Sequence, residues 1–293
     1  VCPAIRTILE TPMRNIEPVM QSIDLGAITL AVWEYAGEEP PIFFCHCAGL
    51  CGRTWDPVIR RLTLKNRILA WDARGHGDSD APMHPGAYAW DGFSEDLLGV
   101  LDTLGLKKDA LAVGHSGGAS TLAHAALMDP GRFSRLVLMD GIIAPPAFYP
   151  SAKWLADLSR KRRHVLESEQ EARERFSAKP PMNRWHPEVL DAYLAHGFSR
   201  DGAGRLHLKC RGEAEAQVYE SGGMVPLYER LGEIGTPVLV ITGTESYMLE
   251  HVRDQSRRLQ QATLVELPDT SHFIPQEQPD TCAKLVSDWF AGA

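Results

Sequence analysis

Between residues 22 and 35 apolar and polar side chains alternate around Gly26, the pattern of two half-buried strands folded back as a hairpin. Residues 37–41 read as the turn that follows. The pattern then changes. Residues 42–45, 67–71, 111–113, 136–139, 238–241 and 263–267 are short, almost wholly apolar runs, as expected of strands covered on both faces in a parallel sheet. Between them lie segments with apolar residues three and four apart. Phe93, Leu97, Val100, Leu101 and Leu104 form one, stopped by Gly105; Ala283, Val286, Trp289 and Phe290 belong to another. This alternation predicts an α/β fold, a mostly parallel central sheet flanked by helices.

The alternation lapses over residues 144–232. There Trp154, Leu155 and Leu158 begin a helix that is expected to run on through the basic residues 160–163 to Glu167, Glu169, Glu171 and Glu174. That charge run reads as a solvated helix face with pairs four residues apart. His186-Pro187 opens another helix, with Leu190, Tyr193 and Leu194 as its apolar stripe and Gly197 at its end. A helical insert at this point would lie over the carboxyl ends of the strands, where ligands bind. The expected organisation is therefore a core of residues 16–143 and 233–293 with a helical cap of residues 144–232. Residues 1–15 read as a loose lead-in.

Composition narrows the classes. The 293 residues suffice for a full α/β core with one insert. A net charge of −8 with no basic tail argues against nucleic acid or an anionic membrane as partner. No apolar run approaches the roughly 18 residues needed to span a bilayer, and the first ten residues hold no signal-peptide core, so a cytoplasmic location is expected. Cys45, Cys47 and Cys51 crowd one segment while Cys2, Cys210 and Cys282 are scattered. With no second Cys/His pair at zinc-finger spacing they read as reduced thiols, and no metal or organic cofactor is expected.

The candidate chemistry centres on residues 110–128, where an apolar strand meets Gly114-His115-Ser116-Gly117-Gly118 and a helical pattern follows. Such a turn would set Ser116 at its apex, with the small neighbours Gly114, Gly117 and Gly118 easing strained backbone angles. The free N–H groups of the helix start could hold an oxyanion, the Gly117 N–H foremost. A seryl hydroxyl needs a base and an orienting acid. His272, after the last strand, is the candidate base; His115 is expected to point away from Ser116. For the acid, Ser246 stands where an aspartate would follow the strand at 238–241, and Glu245 is one place early. Asp140, at the tip of the preceding strand, is the preferred acid, because adjacent strands lie about 5 Å apart. Glu245 remains the alternative, and Asp269 reads as a turn residue. The loop His46-Cys47-Ala48-Gly49 offers a second oxyanion donor, Ala48 N–H before Cys47 N–H, with His46 as a structural hydrogen-bonding residue.

Together these residues resemble the α/β-hydrolase superfamily from about residue 20 to the C-terminal end. The resemblance is carried by the His46 loop, Asp72-Ala-Arg-Gly-His-Gly-Asp-Ser79, Gly-His-Ser-Gly-Gly and His272-Phe-x-Pro-x-Glu-x-Pro279. It is similar to the serine hydrolase branch with a His-x-x-Gly oxyanion loop, as are residues 178–181 and 208–210. Ser246 and Cys47 depart from that pattern. The resemblance implies an α/β-hydrolase fold with a helical cap after the sixth strand, and cleavage of a small carboxylic ester through an acyl-enzyme. Ser116, His272 and Asp140 would do the chemistry, with Gly117 and Ala48 as the oxyanion hole. Thioester, lactone, C–C and perhydrolytic reactions use the same groups, whereas a serine at the apex argues against dehalogenase or epoxide hydrolase chemistry. A non-catalytic small-ligand receptor is the reading from another class. The expected partner is a small apolar ester or related acyl substrate. Trp154, Phe176, Trp185, Tyr193 and Phe198 are candidates to line its pocket or to pack among themselves, and a homo-oligomer is left open.

Overall fold

The computed structural model describes residues 17–292. The hairpin is β1 (Val19–Asp24) and β2 (Thr29–Tyr35), antiparallel with Val19 opposite Glu34. Next come β3 (Glu38–Cys45), α1 (Asp56–Arg60), β4 (Asn66–Trp71), α2 (Trp90–Thr103), β5 (Ala110–His115), α3 (Gly117–Met128) and β6 (Phe133–Met139). The turn expected at residues 37–41 is shorter than its composition suggests. Glu38 already pairs with Asn66, and the exposed prolines Pro40 and Pro41 belong to an irregular start of β3.

The long interval after β6 holds α4 (Lys153–Lys161), β7 (Val165–Leu166), α5 (Glu169–Ser177), α6 (Pro187–His196), β8 (Phe198–Arg200), β9 (Leu206–Leu208), α7 (Gly212–Glu220) and α8 (Leu227–Arg230). The chain ends with β10 (Val238–Gly243), α9 (Leu249–Arg258), β11 (Ala262–Leu267), α10 (Ile274–Glu277) and α11 (Pro279–Phe290). The main sheet has the order β1-β2-β4-β3-β5-β6-β10-β11, antiparallel at its first two pairings and parallel from β4 onward. Successive strand residues face opposite sides, so Phe43 and Leu69 join the core against α2 and α3 while Phe44 and Ile68 join the core against α1 and α11. Each such fully buried side chain contributes about 1.5–3 kcal/mol of transfer free energy. Among the described residues no helix is long and apolar enough to cross a membrane.

The interval after β6 departs from the all-helical expectation. α4 stops at Lys161, and β7, β9 and β8 form a three-stranded antiparallel sheet. Strands of two or three residues carry no readable period. They form because Leu166, Leu206, Leu208 and Phe198 turn inward together onto Trp185 and Tyr193. The expected pairing at four-residue spacing holds for Arg163 with Glu167, but Arg160 and Arg162 reach another element. Arg160 bridges Glu213 and Glu220, and Arg162 pairs with the buried Glu215, both on α7. Phe176, Trp185, Tyr193 and Phe198 pack on one another as the insert's own core, whereas Trp154 is 59% exposed. The lead-in at residues 1–15 and Cys2 lie outside the described residues. The other five cysteines are free and buried.

The turn from β5 into α3 positions the site. Ser116 has φ +57° and ψ −120°, left-handed backbone that a β-carbon disfavours. Two of its three glycine neighbours are required by close packing. A Cβ on Gly114 would lie 2.6 Å from Gly118 O, and one on Gly118 would lie 2.5 Å from Cys45 O and 2.6 Å from His46 O. Gly117 is different: its nearest neighbour would be Ala48 N at 4.0 Å. Gly118→Ala should therefore destabilise the protein by about 1–3 kcal/mol through overpacking against main chain. Gly117→Ala should leave stability within about 0.5 kcal/mol, the range of substitutions that meet open space. Denaturant titration of both variants checks this, and equal midpoints would refute it.

Candidate active site

Ser116, His272 and Asp140 come together at the carboxyl ends of β5, β6 and β10. Ser116 Oγ donates to His272 Nε2 at 3.0 Å, and His272 Nδ1 donates to Asp140 Oδ2 at 2.5 Å. Asp140 is wholly buried, and Ser116 and His272 are each 5% exposed. Asp140, like Ser116, has positive φ (+47°), so the tips of adjacent strands both carry left-handed, non-glycine residues. Each is tied to the sheet: Ser116 N–H donates to Met139 O and Asp140 N–H to Ile241 O.

Two hydroxyls complete the carboxylate's shell. Thr242 Oγ1 donates to Asp140 Oδ1 at 2.5 Å, and Ser246 Oγ donates to Oδ2, the oxygen that also receives His272. Ser246, at the position where an aspartate would be expected, thus donates to the Asp140 carboxylate. Glu245 turns outward, half exposed, and pairs with Arg184. Asp269 sits in a turn with φ +51°. Thr242 escaped sequence reasoning, although one polar residue near the end of an apolar strand was a signal for it. Burial opposes charge on His272, but the bond to Asp140 and contact with the Cys47 thiol outweigh it and raise its pKa well above the usual imidazole value. The Tyr247 ring lies 4.9 Å from that of His272.

The loop at residues 46–51 brings Ala48 N beside Gly117. Neither amide has an acceptor among the described residues. His46 and His76 hold this loop in place. Ala73 N–H donates to His46 Nε2 and Gly49 N–H to His76 Nε2, both at 3.0 Å, so each ring carries its proton on Nδ1, directed at Cys47 O and Arg74 O respectively. Burial lowers both pKa values, that of His46 to about 3. His46 is thus a loop anchor with both nitrogens engaged. Asp72 fastens the loop's far end, accepting from Gly52 N–H at 2.6 Å. Beside the two free amides opens a cavity of about 30 Å³, walled by Trp71, Trp90, Phe93 and Val218.

Comparison with known proteins places this arrangement. Over residues 42–285 the chain matches the model of the alpha/beta hydrolase family. It is 24% identical over 292 residues to 2-(acetamidomethylene)succinate hydrolase of Mesorhizobium japonicum, covering 92% of this chain and 95% of that protein. It is also 24% identical over 290 residues to 3-oxoadipate enol-lactonase 1 of Acinetobacter baylyi, covering 94% and 97%. Among solved structures, E-2-(acetamidomethylene)succinate hydrolase superposes with a TM-score of 0.80 at 23% identity over 94% of this chain and all of that one. An esterase from Mycobacterium tuberculosis gives 0.74 at 24% identity, over 94% and 91%. With the sheet order, the strained serine turn and the matching family model in place, the chain belongs to the alpha/beta hydrolase family.

Proposed function

We propose that the protein is a serine hydrolase that cleaves a small carboxylic ester through an acyl-enzyme. The observation that carries this reading is the unbroken line from Ser116 Oγ through the His272 ring to the buried Asp140 carboxylate. His272 Nε2 takes the Ser116 proton as Oγ bonds to the ester carbonyl carbon, and the carbonyl oxygen becomes an oxyanion. The free N–H groups of Gly117 and Ala48 receive that oxyanion, worth about 2.7–4 kcal/mol for one such donor. Collapse breaks the C–O bond to the alcohol, which leaves with the proton from Nε2. Water then repeats the sequence: Nε2 takes its proton, hydroxide attacks the acyl carbon, and the acid departs as Ser116 recovers its hydrogen. Residues 144–232 serve in this reading as the cap over the site. A lactone, being a cyclic ester, meets the same groups; similarity to an enol-lactonase over nearly the whole chain favours it as the second reading.

Ser116→Ala should reduce hydrolysis of p-nitrophenyl acetate by roughly 10⁵- to 10⁶-fold and abolish labelling by a fluorophosphonate probe. Full activity in that variant refutes the reading.

The acid has a separate test. Asp140→Asn should lower kcat on the order of 10³- to 10⁴-fold, while Glu245→Gln stays within about threefold. The reverse pattern moves the acid to Glu245.

The pH dependence follows from the raised His272 pKa. Only neutral imidazole accepts the serine proton, so kcat/KM should climb with pH through a midpoint above the ordinary value of about 6.5. Removing the Asp140 charge removes what stabilises the imidazolium, so in Asp140→Asn the midpoint should move down. A wild-type midpoint below about 6.5, or one indifferent to Asp140→Asn, contradicts this.

A further inference from the structure

We propose that His115 is a positioning residue for the base, holding the main chain at His272 from the tip of the strand that also carries Ser116. The inference rests on the assignment of His272 as the base. His115 is fully buried, and its Nε2 lies 2.8 Å from the carbonyl oxygen of His272. A carbonyl only accepts, so Nε2 carries the hydrogen. Burial, reinforced by the neighbouring His272, pushes the His115 pKa down to about 3, so the ring is neutral and Nδ1 is bare. Nδ1 is buried and has no hydrogen-bond partner among the described residues.

That proton placement is informative. An apolar side chain would fill the same space without leaving a buried nitrogen unpaired. What an imidazole adds here is one bond, to the residue whose side chain serves as base. Among the described residues His272 O accepts from no other donor. The ring centroids of His115 and His272 are 5.1 Å apart, and the Phe273 ring packs edge-on against His115 at 6.3 Å.

The flanking loop is fastened separately, by Ser271 N–H to Glu277 and by Arg184 to Asp269 O. Glu245 N–H and Thr244 Oγ1 hold it as well, at Thr270 O and Asp269 N–H. The bond from His115 holds the carbonyl end of the peptide that follows the base, whose Phe273 N–H end donates to Ser271 Oγ at 3.3 Å. Ser116 and the support of His272 therefore stand on consecutive residues of one buried strand, so nucleophile and base share a single reference. A base displaced by about 1 Å loses on the order of 100-fold in rate without any change in the residues that do the chemistry.

Three substitutions test this. Gln places its amide nitrogen as many bonds from Cα as His Nε2 and can donate to the same carbonyl; Asn reaches only the Nδ1 position; Leu donates nothing. His115→Leu and His115→Asn should lower kcat at least about tenfold with KM within about threefold, while His115→Gln recovers most of the lost rate. The low-field proton resonance of the His272 Nδ1–H bond to Asp140 should weaken or shift in the Leu and Asn variants and persist with Gln. If His115→Leu fails to fold, the Asn and Gln pair decides by the same criteria. Equal kcat and an intact resonance in the Asn and Gln variants would overturn the proposal, as would a Gln variant no faster than Asn. His272→Ala separates the two levels. If it retains turnover, the assignment of the base is wrong. If it is inactive while the His115 series behaves as wild type, only the role of His115 is lost.

Discussion

A carboxylate with no exposure to water persists only where donors replace its hydration shell, and much of this site follows from how Asp140 meets that requirement. Three donors reach it: His272 Nδ1 and the hydroxyls of Thr242 and Ser246. They come from β10, the segment after it, and the loop beyond β11. Satisfying one buried charge therefore draws three separate parts of the chain to one point. The charge-assisted bond to His272 fixes the ring's tautomer and leaves Nε2 free to face Ser116.

The loop at residues 46–51 is built on a different principle. His46 and His76 act as neutral brackets, each accepting one backbone N–H and donating to one carbonyl. A charged ring would donate from both nitrogens and repel the amide it now accepts. Among the described residues the Ala48 and Gly117 amides have no acceptor, which leaves two donors open beside the cavity.

Much of this was legible in the sequence because local chemistry dictates it. The parallel strands show as apolar runs, the serine turn as glycines around one hydroxyl, and Asp140 as the carboxylate one strand from an unsuitable Ser246. The small sheet within residues 144–232 was not legible, since Val165–Leu166 and Leu206–Leu208 are too short to show alternation and are paired only by distant contacts. Nor was the bond between His115 and His272, which joins residues 157 positions apart. Arg160 and Arg162 were seen as charged, but not that their partners lie on α7, because ion pairs between elements leave no mark in local spacing. Gly117 gives the reverse lesson: glycine stands there although the space admits a side chain.

The proposed placing of the acid at Asp140, just after β6, also divides labour between two loops. The segment from Gly243 to Met248 contributes a hydroxyl to Asp140 and an aromatic ring beside His272, but no charge. Freed from holding the acid, it can change its side chains without deleting a reacting group. Tyr247 in this segment is 59% exposed, with its ring against that of His272. Under the proposed assignment none of the three reacting side chains lies in this segment, so its exposed side chains can vary without deleting one.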